Sequence, residues 1–587
     1  MILQALYDYY QKKKESLPAE GFELRELKFI IVINKKGEFK DLVDLREKKK
    51  GKQYLLPRST GRAGSNSWQT TFLLWDHYGY VLGHPKDKEK KAKEMAKKQK
   101  HIFVDTLKNL PDKIKKDAGV KAVLSFYETK QIAEVKKHLN WKQCSEIPGC
   151  NLTFRLDGET ELIPQRNSVV EYQKTMVSSS LETEDDDDKQ QLISHCLITG
   201  ERGSIARLHT ATPILGSKSN AKVVAFQKNS GFDSYGKEQA FNAPISIQAE
   251  AAYSTALKHL LNSPTNKIII SDSTIVFWSE NTPKVINLEE VVSWVVATQK
   301  SNEENPDARV QVVKALYDSV FTGRLSQEKD NHFYVLALAP NAARISVRFW
   351  RTGTVEEFGK RIYQHFEDFK IAHGPKELEH LSLYQILSST ALQYKMENVP
   401  PNLTGKVIES ILDGTPYPVT LMQQCIRRIR AEQQVNRSRA AILKAYINRF
   451  NRIHQPTEKE ISMALDTTNT NSGYRIGRLF AVLEKIQEEA SPNINTTIRD
   501  RFYGAASSSP VAVFSQLLKL KNHHLAKLEI GRKIYFERLI GEVMAELSSL
   551  PAHLPLNEQA YFSIGYYHQR QDFFTSKKNK IESDQQL

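Results

Sequence analysis

The sequence predicts an α+β, multi-domain fold: mixed α/β N-terminal and middle regions, then a C-terminal α-helical bundle. The chain's 587 residues exceed what one hydrophobic core spans, since single cores stop growing near ~250–300 residues. Up to about residue 395, short β-branched apolar runs alternate with amphipathic helical patterns. After Pro400-Pro401 the strand signals fade, and helical spacing covers most of 402–587. The expected regions are 1–191, 192–400 and 401–587, with a bundle over about 463–587.

In order along the chain, a short N-terminal helix precedes the run Leu27 to Asn34 (LKFIIVIN), which reads as a buried strand turning at Asn34–Gly37. Arg46 to Arg62 holds seven Lys/Arg against Glu47 alone, with Gly51, Pro57 and Gly61, so a loop or hairpin is expected. Phe72–Asp76 and Tyr78–Gly83 look like core. From His84 to Trp141 the chain is lysine-rich and helical, with eight Lys against three acids in 86–100 and one further amphipathic helix over 117–141. Strands are expected within 151–170 (LTFRLDG, ELIPQ). Glu182, Glu184 and Asp185–Asp188 lack the alternating ligand spacing and central Gly of a calcium loop, and read as a solvated loop.

The middle region shows strands at 221–226, 267–270, 273–278, 333–339 and 344–350. It also shows a helix after Ser246 with Tyr253, Ala256, Leu257, Leu260 and Leu261 on one face. In the last region Phe536, Ile540, Val543, Leu547 and Leu550 repeat at bundle spacing, and breaks fall at 414–418 and 507–510.

Composition narrows the class. Lys plus Arg number 83 against 68 acids, a formal charge of +15 that biases the protein toward polyanions. Cys144, Cys150, Cys196 and Cys425 form no C-x-x-C pair and no zinc spacing, which argues against a zinc finger or disulfide scaffold and fits a reducing cytoplasm. The N-terminus lacks a signal-peptide apolar core, and no apolar run is long enough for a membrane span. There is no P-loop, G-x-G-x-x-G, G-x-S-x-G or H-E-x-x-H string. No carboxylate cluster suggests a two-metal nuclease. No catalytic residue, metal or cofactor is expected.

Three basic zones suggest binding surface instead. Lys48, Lys49, Lys50, Lys52, Arg58 and Arg62 lead into Gly64-Ser65-Asn66-Ser67-Trp68-Gln69. Asn and Gln carry paired donors and acceptors suited to base edges. The plain alternative is a surface hairpin with Trp68 packed inward. Phe226 to Ser246 interleaves aromatics with Lys228 and Lys237, as a single-strand stacking surface would, and Arg207 and His209 extend it. Its alternative is a set of core anchors. Arg427, Arg428, Arg430, Arg437, Arg439, Lys444, Arg449 and Arg452 face Glu432 alone, and on one helix Arg430, Arg437 and Lys444 share a face. Such a stripe neutralises a phosphate backbone by displacing counterions; a solvated helix is its alternative.

The chain resembles the large subunit of the type I-C CRISPR surveillance complex, Cascade (the Csd1-type family). The strings that carry the resemblance include TTFLLWDHYGYVLG at 70–83, CLITGERGSIARLHTATPILG at 196–216 and FQKNSGFDSYGKEQAFNAPIS at 226–246. LALAPNAARISVRFW at 336–350, PPNLTGKVIESILDGTPYP at 400–418 and EQAYFSIGYYHQRQDFF at 558–574 continue it, so it spans nearly the whole chain. The resemblance implies a non-enzymatic bacterial cytoplasmic subunit of antiviral defense. Such a subunit binds target double-stranded DNA, reads the protospacer-adjacent motif, promotes R-loop formation and holds the displaced single strand. Its implied partners are the crRNA, the Cascade backbone and crRNA-processing subunits, and a helicase–nuclease. A small subunit made from its own C-terminal region, starting near Met463, is a further implied partner.

Under that resemblance, Asn66 and Gln69 with Ser67 in support are expected to read bases. Lys50, Lys52, Arg58 and Arg62 would hold duplex phosphates, and the 427–452 stripe would track the displaced strand or the guide–target duplex. A stand-alone metal-dependent nuclease and a pure protein scaffold are the rival readings.

Overall fold

The computed structural model describes residues 2–19, 21–58, 62, 66–179, 192–227, 236–270, 272–296, 306–547 and 549–574. The fold is α+β and multi-domain, with its strands before residue 355 and helices alone after it among the described residues. The strands are β1 (Phe22–Leu27), β2 (Phe29–Ile33), β3 (Phe39–Asp44), β4 (Lys52–Pro57), β5 (Trp75–His77) and β6 (Asn151–Leu156). They continue with β7 (Ile193–His195), β8 (Arg202–Ser204), β9 (Lys267–Ile270), β10 (Ser273–Ser279), β11 (His332–Asn341) and β12 (Arg344–Thr354).

One four-stranded sheet runs β3-β2-β6-β5, another β12-β11-β10-β9, and β1-β4 and β7-β8 form two-stranded ribbons. All five residues of β2 are buried. Phe29, Ile31 and Ile33 join a core with Phe103 and Leu107 of the helix Lys90–Lys108 and Val123 and Phe126 of the helix Ala118–Glu128. Ile30 joins a separate core with Leu27, Leu56, Trp75 and Leu162. Successive strand residues point to opposite faces, so the run FIIVI is continuously apolar because both faces are covered. β2 pairs in parallel with β6, which demands a long crossover. That crossover carries the basic segment and the lysine-rich helix.

The chain divides into two compact units. The first comprises Met1–Ser263, Asp272–Thr274 and Leu336–Trp350; the second comprises Pro264–Ser271, Ile275–Val335 and Arg351–Leu587. The regions expected from sequence, 1–191, 192–400 and 401–587, are a different partition, drawn on composition and not on contacts. In the second unit, the helices Ser472–Ala490 and Leu556–Phe574 approach so closely that a side chain would not fit between them. A Cβ on Gly477 would lie 2.0 Å from the Phe562 carbonyl oxygen, and one on Gly565 would lie 2.1 Å from that of Tyr474.

Several local expectations are corrected. The helix expected over 117–141 is three pieces, Ala118–Glu128, Ile132–Lys137 and Trp141–Ser145. Lys130 follows the first piece at φ +56°, a left-handed conformation that a helix cannot continue through. ELIPQ is a 3-10 turn, Ile163–Gln165, followed by the helix Asn167–Ser179. Residues 221–226 make one isolated bridge, Lys222 to Arg344, and no strand. Leu547 and Leu550 lie past the end of the helix Ile530–Met544. The acidic run at 182–188 lies outside the described residues.

Candidate nucleic-acid interface

The first basic zone is a hairpin. After β3, Glu47 and Lys50 bridge across a tight turn with Lys48 at φ +61°, and β4 then pairs with β1 from Leu27↔Lys52 to Phe22↔Pro57. Gly51 is required at this entry: its Cβ would sit 2.2 Å from the Leu27 carbonyl oxygen. The turn lifts Lys48, Lys49, Lys50 and Lys52 into solvent, where none forms an ion pair with a described residue.

The two arginines behave differently. Arg58 Nη2 donates to Glu250 Oε2 at 2.9 Å, to Ser254 Oγ at 3.0 Å and to Thr210. Glu250 is 5% exposed and also accepts from the Thr210 amide at 2.7 Å. Burial opposes its charge, but Arg58 and the Thr210 bonds outweigh burial and hold the carboxyl below its ordinary value. Arg62 pairs with the buried Asp76, donates to the Thr70 carbonyl at 2.8 Å, and lies 3.9 Å and 4.0 Å from the ring centroids of Phe72 and Tyr80. Burial pushes the Asp76 carboxyl up, against the pull of Arg62. Arg58 and Arg62, expected to hold duplex phosphates, thus both have their guanidiniums engaged by protein groups.

Asn66 caps and Gln69 ends a 3-10 turn, Ser67–Gln69, closed by the Gln69 amide donating to the Asn66 carbonyl at 3.0 Å. Both side chains are exposed and have no described partner. Ser67 and Trp68 are half-buried. Tyr80 Oη donates to the Trp68 carbonyl at 3.0 Å, and Lys98 Nζ lies 5.6 Å from the Trp68 ring centroid. Ser65 and Gly64 lie outside the described residues.

Lys98 belongs to the helix Lys90–Lys108, against which this turn packs. Lys86, Lys88, Lys90, Lys91, Lys93, Lys97 and Lys98 are all exposed and none pairs with a described acid. The lysine density is plain in the sequence, but nothing local to it assigns the segment to the site. The signal that would have done so is the buried Ala96, Phe103 and Leu107, which leave the lysines the outer face of the helix.

The second zone is mixed. Lys228, Phe232 and Tyr235 lie outside the described residues. Lys237 is exposed; Arg207 is exposed and donates to Gln239. Phe241 is a core residue, 5% exposed. His209 is 2% exposed and bonds to Tyr253 Oη, which removes it from any patch.

The third zone is not one helix. Val419–Glu432 ends at Gln433, φ +52°, and Arg437–His454 begins after the Asn436 cap. The expected shared face of Arg430, Arg437 and Lys444 is therefore absent. Arg437 donates to the carbonyls of Leu378 and Glu379. Arg439 is wholly buried on the Ser389 and Gln434 carbonyls and on Glu432. Lys444, pulled down to about 8 by burial, donates to the Asp368 carbonyl at 3.1 Å. Arg449 and Arg452 clasp the two oxygens of Asp368 at 2.6 Å and 2.9 Å. These cations are internal fastenings. Arg427 and Arg430 remain exposed with no described partner, and Arg428 is 3.8 Å from Glu432.

A family described as CRISPR-associated protein (Cas_Csd1) matches residues 5–574. The chain belongs to this family. No curated protein matches it. In this Csd1-type protein all four cysteines are buried free thiols. Among the described residues no three His, Cys, Asp or Glu side chains gather as a metal site, and no helix is long and apolar enough to cross a membrane.

Proposed function

We propose that this CRISPR-associated protein is the non-catalytic large subunit of a type I-C RNA-guided effector complex. It reads a short motif on duplex DNA, promotes R-loop formation, holds the displaced strand and helps recruit a helicase–nuclease. The observation that carries the reading is the pair of exposed, unengaged amides Asn66 and Gln69 beside Trp68 and Lys98. Guide pairing reads the long sequence in such complexes, so the protein needs few base contacts and many phosphate contacts. The phosphate contacts fall to Lys48, Lys49, Lys50 and Lys52 of the hairpin and to the lysines of the helix Lys90–Lys108, with Arg427 and Arg430 available to a strand. The crRNA, the backbone and crRNA-processing subunits, and a small subunit starting near Met463 are its partners, in the bacterial cytoplasm. Met463 lies half exposed between the helices ending at His454 and starting at Ser472, so the helices of a C-terminal product would follow it intact.

The test is the assembled particle carrying Asn66→Ala and Gln69→Ala, titrated with duplexes bearing matched and mismatched motifs. A bidentate amide contact is worth about 1–3 kcal/mol of discrimination, so the preference for the matched motif should fall at least about fivefold. Unchanged discrimination defeats the assignment.

A further inference from the structure

Two cavities of about 440 Å³ each lie in the second unit, and their charges separate them. The first is lined by Lys370, Lys444 and Arg452 together with Glu367, Asp368 and Glu460, so its cations are neutralised in place. The second has no acid in its lining. Its walls are the segment before the helix Ile498–Ala506, that helix, and the helix Pro510–Leu525. Ile494, Phe502 and Leu520 supply apolar and aromatic surface; Asn495, Arg501 and His524 supply polar groups. Two further polar groups there are engaged: Gln487 accepts from the Ile498 amide at 2.7 Å, and Thr497 donates to Glu484 at 2.8 Å. Asn495 and Arg501 have no described partner, and His524 Nδ1 is buried with none. Lys527 adds positive charge near His524.

A concave apolar site with a few convergent polar groups is the usual form of a small-ligand pocket. Here the ring of Phe502 suits a planar heteroaromatic face, the Asn495 amide suits its polar edge, and the Arg501 guanidinium suits a phosphate. We propose that this cavity takes one nucleotide of a single strand, base inside and phosphate on Arg501. The proposal rests on the nucleic-acid-binding reading above and adds a base-dependent subsite to it.

The full-length chain would be titrated with fluorescein-labelled oligothymidylate, with its abasic analogue and with a duplex. The wild type should prefer oligothymidylate to the abasic strand about tenfold. Phe502→Leu with Asn495→Ala should erase that preference without changing duplex affinity, and Arg501→Ala should weaken both single strands. Circular dichroism melting checks that the variants stay folded. A preference that survives in the double variant overturns the proposal, as does its absence from a wild type that still binds duplex. Displacement of the strand by micromolar thymidine monophosphate would overturn the strand as occupant in favour of a free nucleotide. A wild type that binds neither strand nor duplex would instead sink the nucleic-acid reading itself.

Discussion

A lysine without an acid and an arginine clasped by one are identical in a charge count, yet they do opposite work. Arg58 meets Glu250 across 192 residues of chain, and Arg449 meets Asp368 across 81. No local pattern exposes such partners, which is why the arginines read as binding groups while the lysines of 86–100 were given no role. Breaking a buried ion pair by removing one partner leaves a desolvated charge behind. Asp76→Ala should therefore lower the stability of the protein by about 3 kcal/mol, read as a drop in the urea midpoint. Lys93→Ala with Lys97→Ala should leave that midpoint unchanged and instead flatten the dependence of duplex affinity on salt. Two lost phosphate contacts correspond to a slope smaller by about 1.8. An Asp76 variant as stable as the wild type, or a lysine pair with an unaltered slope, would reverse the roles given to these groups.

Elements were legible where a local cause sets them. Ser246 caps the helix Ile247–Asn262 by accepting from the Ala249 amide at 3.2 Å, and the apolar positions read on that helix are buried. Gly414 at φ +70° ends the helix Leu403–Asp413 where the break was expected. The failures have tertiary causes. Lys130 and Gln433 adopt left-handed backbone that neither glycine nor asparagine announces, so 117–141 and 427–452 looked continuous. Gly473-x-x-x-Gly477 was passed over because its meaning lies in the facing helix. At Gly477 the added carbon of Gly477→Ala would strike the Phe562 backbone at 2.0 Å, and backbone cannot step aside as a side chain can. Overpacking of this kind costs about 1–3 kcal/mol. The variant should unfold at a lower urea concentration, while Gly541→Ala, where a Cβ meets nothing within 4 Å, should gain slightly from reduced backbone entropy. Equal midpoints for the two variants would mean that the helices are not held at this distance.

At the scale of the whole molecule, the α+β order and the basic bias were both visible in composition and periodicity, but the way acid destabilises the protein was not. Each unit buries histidines that its fold keeps neutral. In the first, burial with help from Lys222 and Arg58 pulls His209 down to about 4, against Glu250. In the second, burial and Lys444 pull His568 down to about 3, against Asp466. In each ring Nδ1 faces a tyrosine hydroxyl, Tyr253 or Tyr474, while Nε2 is buried without a partner. A proton added there would place an unpaired charge in the core. In the unfolded chain both rings titrate near 6.5, so between 6.5 and the depressed folded values the unfolded state holds more protons. Stability is then lost as pH falls through that window. Glu250, held below its ordinary value, loses its contribution only at still lower pH, which leaves the upper part of the window to the histidines. From pH 7.0 to 5.5 each should remove about 1 kcal/mol, seen as a falling urea midpoint. His209→Gln and His568→Gln, which cannot take the proton, should each flatten that fall by about half of the two-histidine total while binding duplex as the wild type does. A midpoint that stays level from pH 7.0 to 5.5 would mean that these rings are already charged, or already open to water, in the folded protein.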